Sequence, residues 1–403
     1  MEDHKRDPVI DGIKLRSSWR NFLKDVLICS LGAYGGPEAH MSVFLDQMVI
    51  KRKYLDEAEL IELIALCSIL PGPTSTQTIV AIGHKMGGPL LALLTMLVWA
   101  LPVLAVMTAL SFLYQFLDFS GIPVKTLRYI GPMAVGFIIV AAWRIGHKVV
   151  KDAPTAFLML FGAVSTYFFR TPWIFPVVLL AGGIVGVVVY REPGMWDRPR
   201  LDPPWSYLAA FLVIAIGGAA WSCFKDLDLF CLFERFYRYG YLVFGGGQVV
   251  VPLMYSELVE LRHLMTGGEF LTGYGLVQGL PGPMFSFAAY AGGMAARGGS
   301  ALYQVLGAVA GGVGIFLPGL LLIYFVYPVW EGVREIRAVQ LSLRGINAIA
   351  GGMIAVAALI VMQASGFAID NLAAMILSAA LLLTRKFPAP LIVLASIAAG
   401  LLV

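Results

Sequence analysis

The sequence predicts an all-α, polytopic membrane protein built from two homologous repeats, and three observations carry that prediction. Apolar residues make up 59% of the chain and charged residues only 13%, with a mean hydropathy of +0.81, a composition that soluble domains rarely reach. Several apolar runs are long enough to cross a hydrocarbon core of about 30 Å. The string Leu-Pro-Gly-Pro stands at Leu70 to Pro73 and again at Leu280 to Pro283, each time in apolar surroundings.

The chain opens on a polar segment, 1–20, in which Glu2, Asp3, Lys5, Arg6, Asp7 and Asp11 precede any apolar run. That is not the pattern of a cleavable signal peptide, and the segment is expected in the cytoplasm. Beyond it the two strings belong to a longer repeat. Tyr34-Gly35-Gly36 pairs with Phe244-Gly245-Gly246, Glu59 with Glu269 and Gly83 with Gly293, all at an offset of 210. Further on the offset becomes 216, pairing Pro102 with Pro318, Arg128 with Arg344 and Gly136 with Gly352. The first repeat is read as 21–190 and the second as 231–403.

Within the first repeat, 88–116, 124–147, 153–169 and 172–190 read as spans; the second answers with 300–329, 345–364, 368–384 and 388–403. The linker, 191–230, holds one further apolar run at 206–224 that has no counterpart. Four crossings per repeat plus one in the linker turn the second copy upside down, so the repeats are expected to be inverted. Basic residues such as Lys51, Lys85, Lys148, Arg191, Arg334 and Arg385 then fall on the cytoplasmic side, with Lys125, Arg170, Lys225, Arg235, Arg238, Arg262 and Arg297 as exceptions, a balance by which the positive-inside bias favours inversion. This count takes 18–50 and 57–84 as re-entrant hairpins. If one hairpin in each repeat crosses as a broken helix instead, the repeats become parallel.

The chemistry gathers at the breaks. Residues 57–70 read as a helix that Pro71, Gly72 and Pro73 interrupt, because proline cannot continue a helix but suits the first turn of a new one. The amides of Thr74, Ser75 and Thr76 then lack intrahelical partners, and an anion is a suitable acceptor at a helix N-terminus. Hydroxyls of the same three residues and the amide of Gln77 add donors. In the second repeat, Pro281, Gly282 and Pro283 make the break, and Met284, Phe285 and Ser286 supply the amides. A second pair of breaks lies at Gly35-Gly36-Pro37 and Gly245-Gly246-Gly247, where glycine permits close approach of a ligand, followed by Gln248 in the second copy. Gln278 lies beside the other break. Glu38 and His40 are candidates for proton coupling, since ionisable groups beside a break face a cavity or a partner. Each also has a plain reading, as a helix cap and an interfacial residue. Arg128 and Arg344 open equivalent spans and could grip an oxyanion in two-pronged fashion, or anchor to lipid phosphate.

Other classes fare worse. The net charge of +4 is mild and no basic tract interleaves with aromatics, so no nucleic-acid partner is expected. Cys29, Cys67, Cys223 and Cys231 have no metal-ligand spacing, so no metal, cofactor or catalytic residue is assigned. An anion channel is the rival reading.

Taken together, Gly35-Gly36-Pro37 with Ala39-His40, Leu70-Pro71-Gly72-Pro73 with Ser75-Thr76-Gln77, and Gln278-Gly279-Leu280-Pro281-Gly282-Pro283 with Gly293 resemble the chromate ion transporter family, in its two-domain form, over nearly all the chain beyond residue 20. The first copy departs from the family pattern at Ser68, where a glutamine is usual, and Tyr54 and His263 stand where a tryptophan is common. The resemblance implies an inner-membrane carrier that expels chromate and confers chromate resistance, with sulfate as a related oxyanion; a sulfate-type oxyanion carrier is the neighbouring reading. The expected mechanism holds a dianion near the midplane at half-helix N-termini from both copies, with Arg128 or Arg344 nearby and alternating access by rocking. The chain is expected to act as a monomer or a homodimer.

Overall fold

The computed structural model describes residues 8–169, 171, 174–193, 195, 202–222, 228–244 and 250–402, and every regular element among them is helical. The first repeat begins with α1 (Pro8–Gly32) and α2 (Pro37–Phe44), which runs on as a π-helical turn to Lys51. It continues through α3 (Glu57–Ile69), α4 (Thr74–Leu110), α5 (Leu113–Phe119), α6 (Ile130–Val149), α7 (Ala153–Phe168) and α8 (Ile174–Val189). The linker contributes α9 (Trp205–Ser222). In the second repeat come α10 (Leu229–Tyr241), α11 (Val250–Tyr255) with its own π-helical turn to Leu261, and α12 (Gly267–Gln278). A short 3-10 turn leads into α13 (Phe287–Ala295), followed by α14 (Ala301–Val326), α15 (Trp330–Glu335), α16 (Arg337–Ser365), α17 (Ile369–Leu383) and α18 (Ala389–Leu401).

The repeat is visible in local detail. Glu59 N–H donates to Asp56 Oδ1 (2.8 Å) while Asp56 N–H donates to Glu59 Oε2 (3.0 Å), and Thr266 and Glu269 make the same reciprocal cap on α12. Such a box satisfies two amides that a helix start leaves open. Each π-helical turn is tied to the first helix of its repeat at equivalent positions. Gln47 Nε2 donates to Asp25 Oδ1 (2.8 Å) in one copy, and Arg235 lies 3.4 Å from Glu257 in the other, where the carboxylate stands on the π-helical turn instead of on the first helix.

Among the described residues five helical segments are long and apolar enough to cross a membrane: Thr74–Leu110, Val124–Val149, Trp205–Ser222, Ala301–Val329 and Arg337–Ser365. Helix α4 is bent at Gly87-Gly88, where the backbone leaves helical geometry ahead of Pro89. The segments expected as full spans at 153–169, 172–190, 368–384 and 388–403 form shorter helices of 16, 16, 15 and 13 residues. Sixteen residues rise only about 24 Å, short of the core thickness. Asp152 fixes the start of α7, accepting from Thr155 N–H, and Pro388 precedes α18.

The repeats exchange equivalent contacts. Helix α6 packs on α17, and α16 packs on α7. A Cβ added at Gly136 would stand 2.5 Å from the Met375 carbonyl oxygen, and one at the equivalent Gly352 would stand 1.9 Å from that of Met159. Small residues let membrane helices approach this closely. Contacts in which i meets j and the equivalent of i meets the equivalent of j mark a two-fold relation. Two main apolar cores result. One gathers α1 to the first half of α4 with the end of α14; the other gathers the second-repeat breaks with α6 to α8 and α16 to α18.

Candidate functional site: a cationic cavity at the broken helices

A cavity of about 350 Å³ opens along the seam between these two cores. The first core supplies Gly35 and Gly36 at the break before α2, Met41 on α2, Ile64 and Ser68 on α3, and Thr74 at the start of α4. From the opposite side, α6 contributes Arg144 and Lys148 on an apolar wall of Phe137, Val140, Ala141 and Ile145. Tyr274 and Gln278 reach in from α12, and Asn347 from α16.

The backbone at the break is built for this position. Gly35 and Gly36 both have φ of +90°, a region that side-chain-bearing residues rarely enter, and Gly36 caps α2. Helix α3 ends at Leu70 in extended geometry and α4 starts at Thr74. Gln77 N–H donates to the Pro73 carbonyl (2.9 Å), and helix geometry leaves the three amides ahead of it without an intrahelical acceptor. The positive end of the α4 dipole therefore faces the seam.

The hydroxyls expected as ligand donors divide. Thr74 lines the cavity, whereas Ser75 Oγ is hydrogen-bonded to His40 Nδ1 (3.0 Å) and Thr76 Oγ1 accepts from Trp99 Nε1 (3.1 Å). Gln77 Nε2 donates to the Pro71 carbonyl (2.9 Å), bracing the break, while its Oε1 is buried without a partner. His40 is 2% exposed and packs edge-on to Trp99. It touches the first turn of α4 through Ser75 and sits one residue from Met41 in the cavity wall. The side chain of Glu38 lies outside the described residues, as do Gly246, Gly247 and Gln248.

Among the described residues, the Pro-Gly-Pro break of the second repeat does not line this cavity. Met284 and Phe285 close on an apolar void of only about 10 Å³ with Val250, Met254, Tyr274, Phe287 and Ile315, too small for an oxyanion. Ser286 N–H donates to Pro283 O (2.9 Å) within the 3-10 turn, and its buried Oγ has no partner. Gln278 Nε2 points at Met284 Sδ (3.1 Å) while its side chain lines the main cavity. Methionine and phenylalanine stand where the first copy has Thr74 and Ser75, so at the described breaks the polar helix start belongs to the first copy.

Arg128 and Arg344 are also placed elsewhere. Each pairs with a carboxylate of the opposite repeat, Arg128 with Asp370 and Arg344 Nη2 with Asp152 Oδ2 (2.6 Å). The Arg344 guanidinium further stacks over the Tyr190 ring at 3.9 Å, and Tyr190 O–H donates to Asp152 Oδ1 (2.6 Å). These guanidiniums brace the two repeats and do not line the cavity.

In their place stand Arg144 and Lys148, which sequence reasoning missed as a site. Arg144 lies inside the apolar run 124–147, and an ionisable residue there is a functional signal by default. Lys148 reads in the sequence as a topology marker. Among the described residues no carboxylate lines the cavity, and neither cation has a carboxylate within 4 Å. Arg144 Nη2 makes one long contact, 3.4 Å, to the Leu382 carbonyl. Asn347 Oδ1 is buried without a partner. Two fixed cations, a helix N-terminus and neutral polar groups in an apolar wall make a site chemically suited to an anion.

A family profile described as chromate transporter matches residues 20–187 and again 230–401. A chromate transport protein of Pseudomonas aeruginosa is 27% identical over 360 residues, covering 86% of this chain and 82% of that one. A chromate transport protein of Cupriavidus metallidurans is 24% identical over 378 residues, 91% and 89% of the two chains. An uncharacterised transporter of Methanocaldococcus jannaschii is 23% identical over 324 residues, 78% and 77% of the two. No solved structure matches the chain. With both repeats matched, the apolar helices in place and the breaks meeting at a cationic cavity, this multi-pass membrane protein belongs to the chromate transporter family.

Proposed function

We propose that the protein is a secondary transporter that exports chromate, and related tetrahedral oxyanions such as sulfate, from the cytoplasm across the inner membrane, and so confers chromate resistance. The observation that carries this reading is the cavity itself. Arg144 and Lys148 line, together with Thr74 at the start of α4, a space of about 350 Å³ that no described carboxylate lines. Membership in the family and the names of the relatives supply the substrate class.

The mechanism follows from the seam. One wall of the cavity rides on α2, α3 and α4, the other on α6, α12 and α16, and the two walls belong to separate cores. Rocking one core against the other would expose the anion to either side in turn, as inverted repeats permit. In this reading the N-terminus and the Lys148 end of α6 are cytoplasmic. Expelling a dianion from a cell that is negative inside is downhill by about 2.3 kcal/mol per charge per 100 mV, so uniport suffices. His40 would add proton coupling through Ser75 to the first turn of α4.

The test is flux of labelled chromate and sulfate into liposomes holding the purified chain, under an imposed potential, with and without a pH gradient. Saturable, potential-driven flux is expected. Flux that never saturates and exceeds carrier turnover would replace the carrier with a channel, and no flux of either anion would remove the transport reading.

A further inference from the structure

Lys148 and Arg144 stand four residues apart, on one face of α6, and both side chains border the cavity. They are the cationic residues among its described lining, and the rest of that lining is neutral. At the equivalent positions of α16, at the repeat offset of 216, the second repeat carries Ile360 and Ala364. The charge pair thus belongs to one repeat and is not required by the fold, since α16 packs as the counterpart of α6 without it. Other arginines between packed helices, the part-exposed Arg128 and Arg344 and the buried Arg238, are paired with carboxylates, whereas Arg144 and Lys148 have none within 4 Å among the described residues.

Resting on the transporter reading, we infer that Arg144 and Lys148 act together as a valence filter, fixing the cavity for tetrahedral oxyanions of charge −2 over those of charge −1. Shape discriminates poorly among tetrahedral oxyanions of similar size. Charge discriminates well, because a dianion gains twice the Coulomb energy of a monoanion from each fixed cation, and the low-dielectric wall of Phe137, Val140 and Ile145 weakens screening. With both cations present, a dianion leaves the cavity neutral and a monoanion leaves one positive charge uncompensated. Removing either cation halves that Coulomb advantage and leaves the dianion with an uncompensated charge, so the preference weakens. Lys148 is exposed and Arg144 half-buried, so the two would act at entry and at the bound position respectively.

The test compares sulfate with perchlorate, a tetrahedral monoanion, by competition against labelled sulfate on the full-length protein in phosphatidylcholine nanodiscs, with flux measured in parallel in liposomes. Wild type is expected to prefer sulfate by at least about tenfold, and Lys148→Gln or Arg144→Gln to lower the sulfate-to-perchlorate ratio by about tenfold. Lys148→Arg should restore it. An unchanged ratio in both glutamine variants overturns the inference while leaving transport intact. If a variant loses all binding, recovery of sulfate preference by Lys148→Arg supports the filter and failure to recover, in a protein with wild-type thermal stability, overturns it. A variant that alters only the response to added phosphatidylglycerol makes the pair a lipid-phosphate anchor and also overturns it. No wild-type flux, with sulfate binding preserved, removes the transport reading and leaves the valence preference standing on the binding data.

Discussion

Gly72 N–H donates to the carbonyl of Val243 across the boundary between repeats, at 2.8 Å, and the equivalent Gly282 N–H donates to Ala33 at 2.9 Å. Each Pro-Gly-Pro break is thereby pinned to the first break of the opposite repeat. A broken helix in a membrane must find partners for its freed backbone groups, and here each repeat satisfies the other. The two breaks that frame the cavity are therefore positioned by the whole two-repeat chain.

Both glycines have strongly positive φ, +125° at Gly72 and +100° at Gly282. A Cβ at Gly282 would meet Val103 Cγ1 at 3.1 Å, and one at Gly72 would meet Gln77 Nε2 at 2.9 Å. Alanine at either position is expected to destabilise by about 1–3 kcal/mol and to depress flux. Thermal unfolding of each variant in detergent, followed by tryptophan fluorescence, checks this.

Asp25 is wholly buried and accepts from Gln47 Nε2, Arg52 Nε (3.0 Å) and Tyr54 O–H (2.7 Å). It ties the π-helical turn after α2, and so the wall carrying Gly36 and Met41, to α1. Asp25→Ala leaves those donors without an acceptor and is expected to cost about 3 kcal/mol. Tyr54→Phe, which removes one donor only, should cost about 1 kcal/mol. A double-mutant cycle read by thermal unfolding measures the coupling.

Asp152 links pH to the contact between repeats. Hydrogen bonds from Tyr190 first and Thr155 next, with the Arg344 charge beside it, hold its carboxyl down at about 2. Its folded value lies below the ordinary range near 3.9, so the stability it contributes is fully present above about pH 4. That contribution is lost as pH falls through about 2. Melting temperature should drop across this window in the wild type, and Asp152→Asn should melt lower at neutral pH with a shallower acid limb. An identical acid limb in the variant would remove Asp152 from the account.

His40 carries the coupling proposal. His40→Gln keeps a polar partner for Ser75 and is expected to retain potential-driven flux while losing its response to an imposed proton gradient. If the gradient response survives the substitution, transport is uncoupled from His40.

Much of this architecture is legible in the sequence, because breaks and repeats are written in proline and glycine. The helix 57–70, its interruption at 71–73 and the unpaired helix of the linker follow from local chemistry, and Gly35, Gly36, Thr74 and Gln278 fall on the cavity. The π-helical turns leave no comparable signature. Arg128 and Arg344 were read as possible ligand contacts because they are equivalent, yet equivalence does not disclose that Asp370 and Asp152 come from the other repeat. Arg144 could have been found: an arginine that follows fifteen uncharged residues within an apolar run asks for an anion or a carboxylate. Its counterpart across the cavity, the start of α4, is far away in sequence, so only folding brings the two poles together.

In the proposed mechanism the anion sits between Thr74 and the Arg144–Lys148 pair. The most direct measurement is a structure of the full-length protein with tungstate, a heavy tetrahedral dianion, located by its anomalous signal. One peak is expected in the cavity between these residues, lost in Arg144→Gln. A peak at Arg128 or Arg344, or none inside the protein at a tungstate concentration that inhibits sulfate flux, would contradict it.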